Sequence, residues 1–162
     1  MERTVTLRAQ IIAGLIAGLA GGILLDLFLL GAQIASGQPA GAVIIIATFT
    51  FVASALGPAV AANPAAPLIG LVLHFCVSIG WALGYVYLVR SQPQLLSRPW
   101  VSGACFGIVV WVFMQIVLLS AGLYHRPSPP ELATGLIAHI FFFGIPVALI
   151  VSRLLSGTPA RA

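Results

Sequence analysis

The chain has 162 residues, of which 60% are apolar and only 6% charged, and its mean hydropathy is +1.14. These values lie far outside the range of soluble globular domains and point to an integral membrane protein without a separate soluble domain. The net charge of +4 comes entirely from arginine. Those arginines stand singly or in pairs at the ends of apolar runs, a pattern that sets membrane topology rather than one that binds nucleic acid.

The first apolar run, residues 9–33, holds the stretch around which the rest is organised. Gly14, Gly18, Gly22 and Asp26 recur every four residues, so on a helix they form one stripe of three bare positions followed by a carboxylate. Glu2 and Glu131 are the other acids and both lie outside the apolar runs. Asp26 is therefore the one acid expected at membrane depth, where an ionisable group costs a few kcal/mol and normally faces the bundle interior and a partner. Glycine faces let a neighbouring helix come close enough to supply one. The basic start resembles a signal peptide. However, the apolar stretch from Ile11 to Leu30 is too long for an h-region and no clear A-x-A site comes directly after it, so a retained first span is expected.

Four further apolar runs follow, at 41–62, 67–89, 100–122 and 131–154. If all five cross, Arg3, Arg8 and Arg126 lie on one side and Arg90, Arg98, Arg153 and Arg161 on the other. If 41–62 does not cross, Arg3, Arg8, Arg90, Arg98, Arg153 and Arg161 share one side and only Arg126 lies opposite, as the positive-inside rule prefers. The expectation is therefore four spans, with the N- and C-termini cytoplasmic and an outer connection over 34–66. Within that connection Thr48, Thr50 and Ser54 interrupt the apolar texture, and Gly57-Pro58 and Asn63-Pro64 break a continuous helix. A short re-entrant or interfacial helix is expected there, with a fifth span as the rival.

Pro67 opens the second span, and Arg90 with Gln92-Pro93 closes it. Trp100 anchors the start of the third, and the turn at 124–130 separates the third from the fourth. Pro146 removes the donor that would meet the carbonyl of Phe142, which predicts a kink. Cys76 and Cys105 fall about 12 Å apart along the bundle axis in this scheme. That is too far for a disulfide, and both read as small packing residues.

With four spans, each contributes one hydrogen-bonding side chain about 10–12 Å below its outer end: Asp26, His74, Gln115 and His139. His74, Ser78, Trp81 and Tyr85 follow helical spacing on the second span. Gly103, Gly107, Trp111 and Gln115 do so on the third, and Gly135, His139, Phe142 and Pro146 on the fourth. Gly14, Gly18, Gly22, Gly103 and Gly107 are the expected helix-packing positions.

Four uses of this layer compete. In the first, the polar groups satisfy one another and hold the bundle in register, at roughly 0.6 kcal/mol per interhelical hydrogen bond. In the second, Asp26 and the imidazoles form a proton or ion path, with Asp26 as acceptor and Gln115 orienting the rings. The third is a divalent metal held by His74, His139 and Asp26, with Met114 or Cys76 drawing it toward copper. Cys76, two residues from His74, points to another face, and no HxxxH, CxxC or ExxH pair supports the site. The fourth is haem b held by His74 and His139, with only Arg126 on the outer side to meet the propionates.

His125, in a proline-rich turn, reads as a solvated loop residue, and Phe141, Phe142 and Phe143 as lipid contacts and packing. No G-x-S-x-G, HExxH or phosphate-cradling loop is present, which weighs against an enzyme.

From Ala53 onward, several stretches carry a resemblance. They are the segments 53–59 (ASALGPA), 70–75 (GLVLHF), 81–87 (WALGYVY), 103–107 (GACFG), Met114-Gln115 and 139–148 (HIFFFGIPVA). Together they resemble a family of small, four-span bacterial inner-membrane proteins of uncharacterised function. The resemblance implies four spans, 41–62 in an outer connection, and histidines at positions 74 and 139. It also implies Asn where this chain has Gln115, and it supplies no activity.

The expectation is an all-α membrane protein: a four-helix transmembrane bundle with an extra short apolar helix between the first two spans. Its role would be structural or accessory, with a proton or metal-ion transporter or a haem-b redox subunit as alternatives. No cofactor is predicted, and the expected partners are lipid and a homo-oligomer or larger membrane complex.

Overall fold

The computed structural model describes residues 6–37, 42–120, 122 and 127–156. Every element formed by these residues is helical. The four long helical segments are Leu7–Ala35 (α1), Ala66–Ser91 (α4), Pro99–Ser120 (α5) and the composite Pro129–Ser156. Each is long and apolar enough to cross a membrane. The composite segment contains α6 (Pro129–Ile137), a π-helical stretch (Ala138–Gly144) and α7 (Ile145–Ser156).

Between α1 and α4 lie α2 (Ala42–Ser54) and the single turn α3 (Pro58–Ala61). With 13 residues, α2 is about 20 Å long, well short of a hydrocarbon core of about 30 Å. The expected extra helix is present, and the rival fifth span is too short to be one. The chain leaves α2 through Gly57, whose φ of +112° is open to glycine and strained for other residues. Pro58 and Pro67 then start the next two helices, where a missing N–H is of no consequence.

The distribution of side chains is the reverse of a soluble protein's. The positions sealed inside α1 are Ala13, Gly14, Ala17, Gly18, Gly21, Gly22 and Leu25. Ile11, Leu15, Ile16, Leu19 and Ile23 of the same helix face outward. Small residues inside and large apolar ones outside suit a bundle whose backbones nearly touch and whose surroundings are apolar too.

α1 packs along α4 on one side and along the composite helix on the other, α5 packs on the composite helix, and α2 lies on α4. Where α4 faces α5, the contact is aromatic: Trp81 meets Phe106 and Phe113, and Tyr85 meets Phe106. The short 3₁₀ turn Pro93–Ser97 closes one end of the bundle, and Ser152 donates a hydrogen bond to the carbonyl of Leu96 at 3.1 Å.

At Pro146 the sequence predicts a kink, and the structure carries seven residues of π-helix, a common seat of helix bends, just before it. The physical cause is the same. Without a proline N–H the i→i−4 ladder cannot continue through this point, and a wider turn re-phases it: Ile145 donates to the carbonyl of Ile140, five residues back. Phe142 and Phe143, inside that turn, are packing residues. Phe142 stacks on Phe28 of α1 at 4.2 Å between centroids, and Phe143 is buried. Phe141 is exposed, and both cysteines are free and exposed. His125 and Arg126 lie outside the described residues, as do Glu2, Arg3 and Arg161.

Candidate functional site

The stripe on α1 sets the register of the site. A side chain at Gly14 would run into Leu83, one at Gly18 would lie 2.5 Å from the Cα of Ile79, and one at Gly22 would lie 3.1 Å from both Phe75 and the Ser78 hydroxyl. Each step of four along α1 descends along α4, so the two helices are antiparallel and closely apposed. The next step brings Asp26 to His74. Oδ2 of the carboxylate lies 3.2 Å from Nε2 of the ring, within ion-pair distance but without the alignment of a hydrogen bond. The pair is not sealed: the side chains retain 27% and 18% of their exposure, respectively.

α2 covers this pair. Its Phe49 is buried and presents its ring edge to His74 at a centroid distance of 6.0 Å. The backbone of α2 can come so near only because Gly70 is bare, since a Cβ there would collide with the carbonyl of Phe49. Beneath α2, a cavity of about 250 Å³ runs beside Asp26, with Gln33 and Thr48 as its other polar walls. His74 also borders a larger apolar groove, about 690 Å³, between α2, α4 and α5.

Gln115 and His139 come together elsewhere. Both line a partly open cleft of about 600 Å³ between α1, α5 and α6, with Trp111, Gln33, Thr134 and Glu131. The His139 Nδ1 lies 2.8 Å from the Gly135 carbonyl. A carbonyl only accepts, so Nδ1 carries the proton and Nε2 is the free ring nitrogen. Of the four polar residues, Asp26 and His74 are thus in contact, Gln115 and His139 share a cleft, and no hydrogen bond or ion pair joins the two sets. Leu29 and Gln33 of α1 are walls common to the Asp26 cavity and the cleft.

Ser78 and Tyr85, expected from their shared face with His74 to belong to the same site, lie farther along α4. Ser78 is buried at the glycine interface with α1. Tyr85, three turns and about 16 Å from His74, is buried at the opposite end of the helix and shares a 2.8 Å hydrogen bond with Ser102. Ser102 donates in turn to the carbonyls of Leu95 or Arg98. This cluster ties α4, the 3₁₀ turn and α5 together.

On the third and fourth spans the glycines do what those of α1 do. A Cβ at Gly103 would lie 2.7 Å from the Cα of Ile145, and one at Gly107 would strike the carbonyl of His139. Phe49, Gly70 and Ser102 are the contributors that sequence spacing alone does not single out. Gly70 stands four residues before His74 on α4, one turn away on the same face, and that was the available signal.

Among the described residues no three His, Cys, Asp or Glu side chains converge as a metal-ligand set. A haem bridging the two rings through their Nε2 atoms would have to draw His74 away from Asp26.

Four long apolar helices, a carboxylate–imidazole contact between the first two and a short covering helix together define a small helical-bundle protein built for an apolar surrounding. The chain belongs to DUF6789, a family of unknown function, which matches residues 8–161. No curated protein and no solved structure matches it.

Proposed function

We propose that this chain is a multi-pass accessory protein of the bacterial inner membrane, with both termini cytoplasmic, in which the Asp26–His74 pair fastens α1 to α4 beneath α2. The placement rests on four apolar helices together with the arginines, six of which then share the cytoplasmic side. The observation that carries the role of the pair is its position. The 3.2 Å contact continues the glycine stripe at the point where α2 packs on the His74 side and faces Asp26 across a cavity. A single charge-bearing contact in an apolar bundle admits only one register, because a slip of one turn would strand a carboxylate in hydrocarbon.

The test is a double-mutant cycle of Asp26→Asn and His74→Gln, read as unfolding free energy in mild detergent. The expected coupling is about 1 kcal/mol, in line with interhelical polar contacts in membranes. Additive effects of the two substitutions would sink the reading.

A second reading is supported by the residual exposure of the pair and by the cavity beside it. An imidazole and a carboxylate reachable from one side can take up and release a proton. On that reading, proteoliposomes carry a proton flux that Asp26→Asn abolishes, and wild-type liposomes as tight as empty ones would dismiss it.

A further inference from the structure

The cleft between α1, α5 and α6 is built differently from the other hollows of the molecule. The indole Nε1 of Trp111 and the Oε1 of Gln115 are both sealed from solvent, and neither has a hydrogen-bond partner. The two residues stand one turn apart on α5, and both line the cleft. An unpaired buried donor or acceptor carries its full desolvation cost. An unpaired donor and an unpaired acceptor, sealed beside a roomy cleft that their side chains line, describe a site for a group able both to accept and to donate once those side chains turn toward it. The terminal torsion of glutamine is soft, so the Gln115 amide can turn its oxygen into the cleft at little cost. From the opposite wall, His139 contributes its free Nε2, because Nδ1 is committed to Gly135.

The charge of the lining restricts the ligand further. Among the described residues no Lys or Arg lines the cleft. Its one carboxylate, Glu131, is engaged at the rim, where its Oε2 accepts from the backbone N–H of Ser128 at 2.7 Å and from its hydroxyl at 2.8 Å. A phosphate or carboxylate head would meet no counter-ion among the described residues, and its hydration would be lost without compensation from them. Leu29, Met114 and Leu118 supply an apolar wall alongside. The smallest uncharged group that donates and accepts together is a hydroxyl.

We propose that the Trp111–Gln115–His139 cleft binds the uncharged, hydroxyl-bearing head of an amphiphile, with the apolar tail lying along Leu29, Met114 and Leu118. The hydroxyl donates to Gln115 Oε1 or His139 Nε2 and accepts from the Trp111 indole. The proposal is independent of the role of the Asp26–His74 pair and survives its failure.

The experiment uses the full chain in nanodiscs and three photoreactive probes of equal chain length, headed by a phenol, a glycerol and a phosphate. Cross-links are mapped by mass spectrometry, and affinities are read by competition with the unlabelled compounds. Saturable labelling of α5 and α6 by the phenol or the glycerol probe supports the proposal, and the stronger of the two identifies the kind of head. Trp111→Phe and Gln115→Met keep size and remove the polar atom, and each is expected to weaken that competition about tenfold. The same substitutions should leave the thermal midpoint of the empty protein equal or higher, because each removes an unsatisfied group. Labelling spread evenly over all outward faces, affinities unchanged in both variants, or tighter binding of the phosphate probe would each overturn it.

Discussion

Gly107→Ala is expected to cost on the order of 3 kcal/mol or more, the upper end of overpacking penalties, and to leave little monodisperse protein after extraction. The new methyl would fall on the carbonyl of His139 and within 2.8 Å of the Cα of Ile140. Both obstacles are backbone atoms, so no side-chain rotation relieves the overlap and α5 must move off the π-helical stretch as a body. Gly144 stands on the facing side of the same contact, where a Cβ would collide with the backbone of Gly103 and Gly107. The displacement would therefore separate the two segments along several residues. Gly80→Ala is the matched control, because a Cβ there would meet nothing within 4 Å and alanine favours the helix by roughly 0.5–1 kcal/mol. Thermal unfolding of both variants in the same detergent measures the difference. Equal midpoints would refute the close approach of α5 to the fourth segment.

Gly70→Ala should act on a different element and leave the bundle standing. The added methyl would occupy the place of the Phe49 carbonyl and would approach the Ala53 nitrogen at 3.1 Å. α2 packs on α4 and on the small turn α3, so pushing it off α4 removes its main support. Amide hydrogen exchange across Ile45–Ser54 is expected to rise about 30- to 100-fold, equivalent to roughly 2–3 kcal/mol of lost docking. Exchange in the interior of α1 and α5 should stay slow. A folded variant with unchanged exchange in α2 would show that the helix is held by something other than this contact. If α2 is released, Phe49 leaves His74, and the cavity beside Asp26 opens on that side.

The four long helices were legible because each is written as a long apolar run with a hard stop. Thr6, Pro67, Pro99 and Pro129 stand at the beginnings, where caps and prolines belong. The shortness of α2 could be read from Gly57-Pro58 and from the arginine distribution. The Asp26–His74 contact was implicit in a four-residue repeat, because glycine faces at that spacing dictate which side of α1 meets its neighbour. That Asp26 meets His74 while Gln115 and His139 line a separate cleft was not legible. Counting residues from a span end gives height but not azimuth, and azimuth decides which helix a side chain meets. Tyr85 illustrates the opposite limit: it shares a face with His74, yet three turns of rise carry it to Ser102. The form that the distortion before Pro146 takes likewise depends on what the neighbouring helix will accommodate, here Gly103 and Gly107 of α5.

The wide turn before Pro146 is, in effect, one surplus residue accommodated in a helix. Removing a single residue between Ile140 and Phe143 would return the segment to ordinary α-helical winding while keeping both its ends in place. Elsewhere in the long helices the same excision would rotate everything beyond it by about 100°. This short interval should accordingly tolerate a one-residue deletion better than any other interior stretch, and a deletion scan scored by the yield of folded protein would reveal it as an isolated permissive window.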